Sequence, residues 1–258
     1  WLKKHIPDDA YAHLVDVTSA YAVLSIMGPK ARDLLASITD ADMSNEAFPF
    51  GASQMIHIGY APVRATRLTY VGELGWELYI PSEFAQGVYD EIVSAGAAFD
   101  LRHAGYHAMD SLRIEKAYRH WGHDITDEGT PVEAGLGFAV AWDKPGGFLG
   151  REALLRQRAR GPYQRLVQFR LSDPEKLLYH NEPIWRDGVI VGYLRSGNYG
   201  HTLGAAIGLG YVRDPAGGVV DAAFVTGGTY AIEVACEQVS AMASLRPLYD
   251  PKNTRIRA

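Results

Sequence analysis

Apolar residues recur along this chain at two periods, and the switches between them mark out its elements. "YAVLSIMG" (21–28) is a continuous apolar run of strand length. It leads into "GPKARDLLASI", where Ala31, Leu34, Leu35 and Ile38 fall at i, i+3, i+4 and i+7 and Pro29 suits the first helical position. Strand spacing returns in "QMIHIGY" (54–60), which puts Ile56, Ile58 and Tyr60 on one face, and in "VRATRLTY" (63–70), whose polar and basic side chains suggest a wet face. "YVGELGWELYIP" (70–81) carries Gly72 and Gly75 three apart, a sign of a tight turn or bulge between strands. Ser82 is placed to cap a helix with Phe84, Val88 and Ile92 on one face and Gly96 at its end.

The most helical stretch is "AGYHAMDSLRIEKAYRHWGHD" (104–124). Ile114, Ala117, Tyr118 and Trp121 form an apolar stripe, Gly122 sits where a left-handed terminal residue is wanted, and Glu115 and Arg119 are spaced for a helix ion pair. "TPVEAGLGFAVAW" (130–142) reads as a loop running into a buried strand, and "GGFLGREALLRQRARG" (146–161) as a short helix. Beyond Gly161 the texture changes to short alternating strands: "RLVQFRL", "VIVGYL", "IGLGYV" and "TYAIEVA". Asp187-Gly188, Asp214-Pro215 and Gly227-Gly228 separate them, the pattern of a small β-barrel or sandwich. The expected organisation is α+β, with an α+β region over 1–160 and an antiparallel β-domain over 161–258.

At 258 residues and 47% hydrophobic the chain can bury a sizeable core. Thirty acidic against 25 basic residues leave a net charge of −5, which argues against general nucleic-acid binding. One cysteine, Cys236, excludes an internal disulfide framework and a Cys-based zinc cluster. No apolar run approaches the roughly 20 residues of a membrane span. The opening "WLKKHIPDDAYAHL" reads like the middle of a domain, so the chain is expected to be a fragment or a processed piece.

Candidate chemistry falls at three places. His120, His123 and Asp124 in "HWGHD", and His103, His107 and Asp110 just upstream, have ligand-type side chains but incomplete sets, so neither argues for a metal. Cys236 falls in a strand with no histidine near it in sequence. The third place is the glycine-marked bend, with Tyr70, Glu73, Trp76 and Glu77 around it. Aromatic faces and a carboxylate suit a flat heteroaromatic ring bearing N–H donors. Aromatic strand residues are more often core, and that reading stays open.

"MGPKARDLL", "YVGELGWELYIP", "AGYHAMDSLRIEKAYRHWGHDI", "TPVEAGLGFAV", "GGFLGREAL" and "SGNYGHTLGAAIGLGYV" follow one another along nearly the whole chain. In that order they resemble the glycine-cleavage T-protein (aminomethyltransferase) family. "SNEAFPF", "IEKAYRHW", "DPAGG" and "PLYDPKNTRIR" resemble the C-terminal half of sarcosine and dimethylglycine dehydrogenases within it. The resemblance implies a folate-binding fold with a C-terminal barrel. It also implies a partner FAD-dependent oxidase domain earlier in the parent chain, outside this sequence. The activity implied is capture by tetrahydrofolate of the one-carbon unit of an oxidised N-methyl amine, giving 5,10-methylenetetrahydrofolate.

The matching motif makes Tyr70 a wall of the folate pocket and Glu77 the carboxylate that holds the pterin; Arg255 in the tail is a further candidate contact. Two departures matter. An arginine of the family stands at Met109 here, and the family's catalytic aspartate would lie upstream of Trp1. A stand-alone aminomethyltransferase or demethylase, or a non-catalytic folate-binding regulatory module, are the alternatives. The accompanying expectation is a cytoplasmic location, or the mitochondrial matrix in a eukaryote.

Overall fold

The structure, a computed structural model, describes residues 1–258, which divide into two compact units. The first comprises Trp1–Thr69, Glu73–Arg102 and Arg255–Ala258; the second comprises Tyr70–Gly72 and His103–Thr254.

In the first unit four strands form an antiparallel sheet: β1 (Tyr21–Met27), β2 (Ser53–Ile58), β3 (Ala61–Thr66) and β4 (Gly75–Pro81), in the order β1-β4-β3-β2. β1 runs against β4 from Tyr21 opposite Pro81 to Met27 opposite Gly75. The helices α1 (Ala31–Ala36) and α2 (Ala85–Gly96) supply Leu34, Leu35, Val88 and Ile92 to the sheet's core, beside Ile56, Ile58, Val63, Trp76, Leu78 and Ile80. Fully burying a side chain of this size contributes about 1.5–3 kcal/mol. Tyr60, expected beside Ile58, lies in the turn after β2 and is 97% exposed. Ser82 bonds to the Ser19 carbonyl and opens a short 3-10 turn ahead of α2 instead of capping it. The left-handed residue after α2 is Asp100, not Gly96.

The second unit is built on a closed barrel. Its strands are β5 (Gln164–Leu171), β6 (Pro183–Arg186), β7 (Val189–Gly200), β8 (Ala205–Arg213), β9 (Tyr230–Val234) and β10 (Glu237–Ser244), in the order β10-β5-β8-β7-β6-β9. Phe169, Ile184, Leu194, Ala206, Val212 and Ile232 fill it, and Val225 of the short helix α5 (Ala222–Thr226) joins them. The register of β7 on β8 shifts between Leu194 and Ser196, a bulge at Arg195. Bulges bend a strand and re-aim its side chains.

The helix α3 (Tyr106–Glu115) packs on β7, with α4 (Arg151–Arg160) later in the same unit. Barrel residues satisfy the buried polar groups of α3. Ser111 Oγ donates to the Tyr199 carbonyl, Gln168 donates to the Ile114 and Glu115 carbonyls, and Glu115 accepts from the N–H groups of Thr202 and Leu203. These bonds explain why α3 belongs with the barrel, although the change of sequence texture comes only at Gly161.

α3 is shorter than its sequence pattern. It ends at Glu115, where the Tyr118 N–H reaches the Arg113 carbonyl and the Ala117 N–H reaches that of Ile114. Those two bonds with Ala117 at φ +56° are a Schellman closure with alanine in the left-handed position. Trp121 is consequently outside the helix and 67% exposed, and Gly122 (φ +82°) shapes a later turn. The Glu115–Arg119 ion pair is not formed: Arg119 donates to the carbonyls of Ala117 and Ala134. Residues 130–142 hold turns and a short 3-10 segment (Gly137–Ala139) instead of a strand, with Phe138 exposed. Cys236 sits in the exposed turn between β9 and β10, not in a strand.

Candidate functional site

Arg113 is the centre of the most heavily bonded polar cluster in the second unit. It lies on the buried side of α3, 1% exposed. Its Nε donates to Asp110 Oδ1 at 2.8 Å, and its Nη2 lies 2.6 Å from the same oxygen and 2.8 Å from Ser196 Oγ. Its Nη1 donates to the Tyr118 carbonyl and to Asp124 Oδ2. Asp124, also 1% exposed, accepts in addition from Ser196 Oγ and the His120 N–H. The β7 bulge aims Ser196 inward, while the Schellman closure turns the chain so that 118–124 fold back over Arg113. The cluster therefore joins helix, turn and barrel in one bonded unit.

In front of it opens a cavity of about 300 Å³, lined by Tyr70, Tyr106, His107, Met109, Asp110, Arg113, His120, His123, Tyr179, Ser196 and Gly197. Tyr70 stacks on Tyr118 with centroids 6.2 Å apart and planes within 8°, and its hydroxyl donates to the Arg119 carbonyl. Burial raises the Tyr70 hydroxyl above the usual tyrosine range, and the Arg113 charge opposes that. Gly197 permits a close approach. A Cβ there would fall 2.7 Å from Leu178 Cβ and 2.8 Å from the Tyr179 nitrogen, so only glycine lets the Tyr179 segment reach the cavity wall. Gly72 (φ +78°), just after Tyr70, takes a left-handed conformation with Lys116 packed 3.1 Å from where a Cβ would stand. Lys116 is itself buried and paired with Asp250.

The residues expected around the bend fall in both units. Tyr70 lines this cavity in the second. Glu73, Trp76, Glu77 and Arg255 belong to the first. Trp76 is fully buried, edge-on to Phe48 with ring centroids 6.0 Å apart and with the guanidinium groups of Arg32 and Arg67 each 5.5 Å from its ring. It is a core side chain with no ring face open to a ligand. Glu77 is half-buried on β4, and its Oε2 accepts the Tyr79 hydroxyl at 2.9 Å. Glu73 is half-buried ahead of β4, and Arg255 is exposed in the C-terminal segment.

The sequence reading did not single out Tyr106 or Tyr179, weighed Asp110 only as part of an incomplete metal-ligand set, and gave Arg113 no role. The available signal was polar density on the buried side of α3: Asp110, Ser111, Arg113 and Glu115 are too many for a helix that must pack. His, Cys, Asp and Glu side chains are nowhere grouped in threes that could hold a metal ion. No helix is long and apolar enough to cross a membrane.

Comparison with known proteins extends this picture. Over 95% of its length the chain is 44% identical to mitochondrial sarcosine dehydrogenase of Mus musculus, of which it covers 26%. It is 39% identical over 96% of its length to the mitochondrial pyruvate dehydrogenase phosphatase regulatory subunit of the same organism, covering 29% of that protein. The chain thus spans about a quarter of the length of the curated relatives it matches. A crystal structure of glycine cleavage system aminomethyltransferase T from Bartonella henselae superposes with a TM-score of 0.71 at 24% identity, over 86% of this chain and 57% of that one, which establishes the aminomethyltransferase fold. Residues 1–144 match the family described as GCVT N-terminal domain, and residues 164–250 match the glycine cleavage T-protein C-terminal barrel domain. With both parts present in order, the chain belongs to the glycine cleavage T-protein family.

Proposed function

We propose that the chain is the tetrahydrofolate-binding region of an enzyme that oxidises an N-methyl amine such as sarcosine or dimethylglycine. The observation that carries this reading is the 44% identity to sarcosine dehydrogenase along 95% of the chain. The structure supports it in two places. The ring of Tyr70 walls a cavity of about 300 Å³, at the small end of the range for ligand pockets. The Glu77 carboxylate has one oxygen engaged by Tyr79, which leaves the other for the N–H groups of a pterin.

Tetrahydrofolate, when bound, supplies the nitrogen nucleophile that takes up the one-carbon unit. Glu77 accepts the hydrogen bonds of the heterocycle in this reading; Tyr70, a wall of the second unit's cavity, is held by its bond to the Arg119 carbonyl and by Tyr118 behind it. Such a site works chiefly by orientation and proximity, which supply a large share of the rate in reactions of this kind. Glu73 and Arg255 are secondary candidates for folate contact. FAD belongs, in this reading, to another region of the parent protein, and the location is the mitochondrial matrix in a eukaryote.

A second reading has one observation in its favour, the 39% identity to a regulatory subunit. There the same fold would bind folate without turnover. Amine oxidation by the full-length protein separates the two. Sarcosine or dimethylglycine is expected to be consumed, with less free formaldehyde released when tetrahydrofolate is present. Oxidation of neither amine would favour the regulatory reading.

A further inference from the structure

We propose that Arg32 and Arg67 form a carboxylate-binding site in the first unit, with the carboxylate seated at Ala258 in the C-terminal segment. The inference is independent of the folate reading.

The first observation is convergence. Arg32 stands half-buried on α1, and Arg67 follows β3 at 1% exposure. Arg32 Nη2 donates to the Ala258 oxygen at 2.5 Å, and Arg67 Nη2 donates to the same oxygen at 3.0 Å. The two guanidinium groups also share Asn45 Oδ1, which lies 2.9 Å from Arg32 Nη2 and 2.5 Å from Arg67 Nη1. The Met43 carbonyl accepts from Arg32 Nη1, and the Phe48 carbonyl accepts from Arg67 Nη1 at 2.8 Å.

The second observation is charge. Neither arginine pairs with an aspartate or glutamate side chain. Two carbonyls and one amide are neutral acceptors, so two positive groups meet at Ala258 with no acidic side chain between them. Burial first, and the Arg32 charge second, lower the Arg67 guanidinium below the usual arginine range. A buried cation calls for a paired anion.

The third observation is a surplus of donors. Arg67 Nε, and Nε1 of the Trp76 ring beside both guanidinium groups, are buried without an acceptor. Orphaned buried donors are rare. A second oxygen on the Ala258 carbonyl carbon makes that group a carboxylate. It adds a negative charge and further lone pairs where both are short, in the planar form that guanidinium groups recognise. The site then latches the tail, whose other anchor is Ile256, 4% exposed.

Two sources offer this chemistry: a main chain that ends at residue 258, or a free carboxylic acid seated beside a chain that continues. Trypsin separates them. Cleavage after Arg255 requires the tail to lift, because Ile256 is buried, and its rate follows the lifted population. Mass spectrometry compares that rate in the 258-residue chain and in the same chain carrying Gly-Gly after Ala258, which turns the terminal group into a neutral peptide carbonyl. The extension leaves every side chain in place and should accelerate cleavage about ten-fold or more. Arg32→Gln should do the same, and Arg32→Lys, which keeps the charge, should stay within about three-fold. Arg32→Gln in the extended chain should add less than about two-fold, since both changes break one contact. An acceleration below about two-fold by the extension or by Arg32→Gln would overturn the proposal. Sodium acetate is then titrated into the extended chain against sodium chloride at equal ionic strength. Once the extension has accelerated cleavage, saturable slowing by acetate supports the site with a free acid as its source, and no slowing supports it with a chain end as its source.

Discussion

Arg113 shows how far a single side chain's role depends on its surroundings. In the sequence it is one of four charged residues, with Glu115, Lys116 and Arg119, in a stretch whose ordinary reading is a helix ion pair between Glu115 and Arg119. In the fold it is 1% exposed and carries the bonds that join α3 to the 118–124 turn and to β7. Removing one partner of such a pair leaves a buried charge uncompensated, which costs about 3–5 kcal/mol. Asp124→Ala should therefore lower the unfolding free energy by about that amount, seen as a reduced urea midpoint. A change under about 1 kcal/mol would mean that Arg113 is not held as described. Tyr70→Phe makes a milder case. It loses one hydrogen bond to a carbonyl, worth about 0.5–1.5 kcal/mol, and keeps the ring. Folate affinity should change little in that variant while thermal stability falls.

Among the elements, turns decided what could be read. β7 was visible because Asp187-Gly188 ahead of it is a strong hairpin signal, and both residues take positive φ, +51° and +84°. β9 and β10 are joined by a turn of the same kind, Ala235 at +50° and Cys236 at +66°. Alanine and cysteine announce no such turn, so β10 was missed and Cys236 was read as a strand residue. The end of α3 was overrun for the same reason: Ala117 at +56° does the work that Gly122 was expected to do. Left-handed L-residues cost roughly 1–2 kcal/mol each. Ala235→Asn with Cys236→Gly should accordingly stabilise the barrel by about 1–2 kcal/mol in thermal unfolding, without altering ligand binding. β2 and β3 were legible because their side chains alternate over one buried face, and β8 because its apolar run is buried on both faces. The "TPVEAGLGFAVAW" stretch had the apolar content of a strand but finds no partner to pair with.

Across the whole molecule, the ordered motifs carried the family and the barrel, both of which the comparisons and the fold bear out. What they could not carry was the cavity at Arg113, which depends on residues from 70, 106–113, 120–123, 179 and 196–197 meeting in space. The second unit also shares a stability property. Burial raises the hydroxyls of Tyr70, Tyr118, Tyr211 and Tyr230 above the usual range near 10. The native state holds these protons more tightly than the unfolded chain does. Their stabilisation is complete below about pH 10 and is lost as pH rises through the unfolded and then the raised native values. Urea midpoints should thus fall steeply above about pH 10, and replacing Tyr118 with Phe should flatten that fall.

Folate binding is the claim on which the functional reading stands. Calorimetric titration of folinic acid into the full-length protein tests it most directly. Saturable one-to-one binding is expected, weakened at least ten-fold by Glu77→Ala and little changed by Glu237→Ala on the barrel's β10 strand. Absence of binding, or binding indifferent to Glu77→Ala, would contradict it.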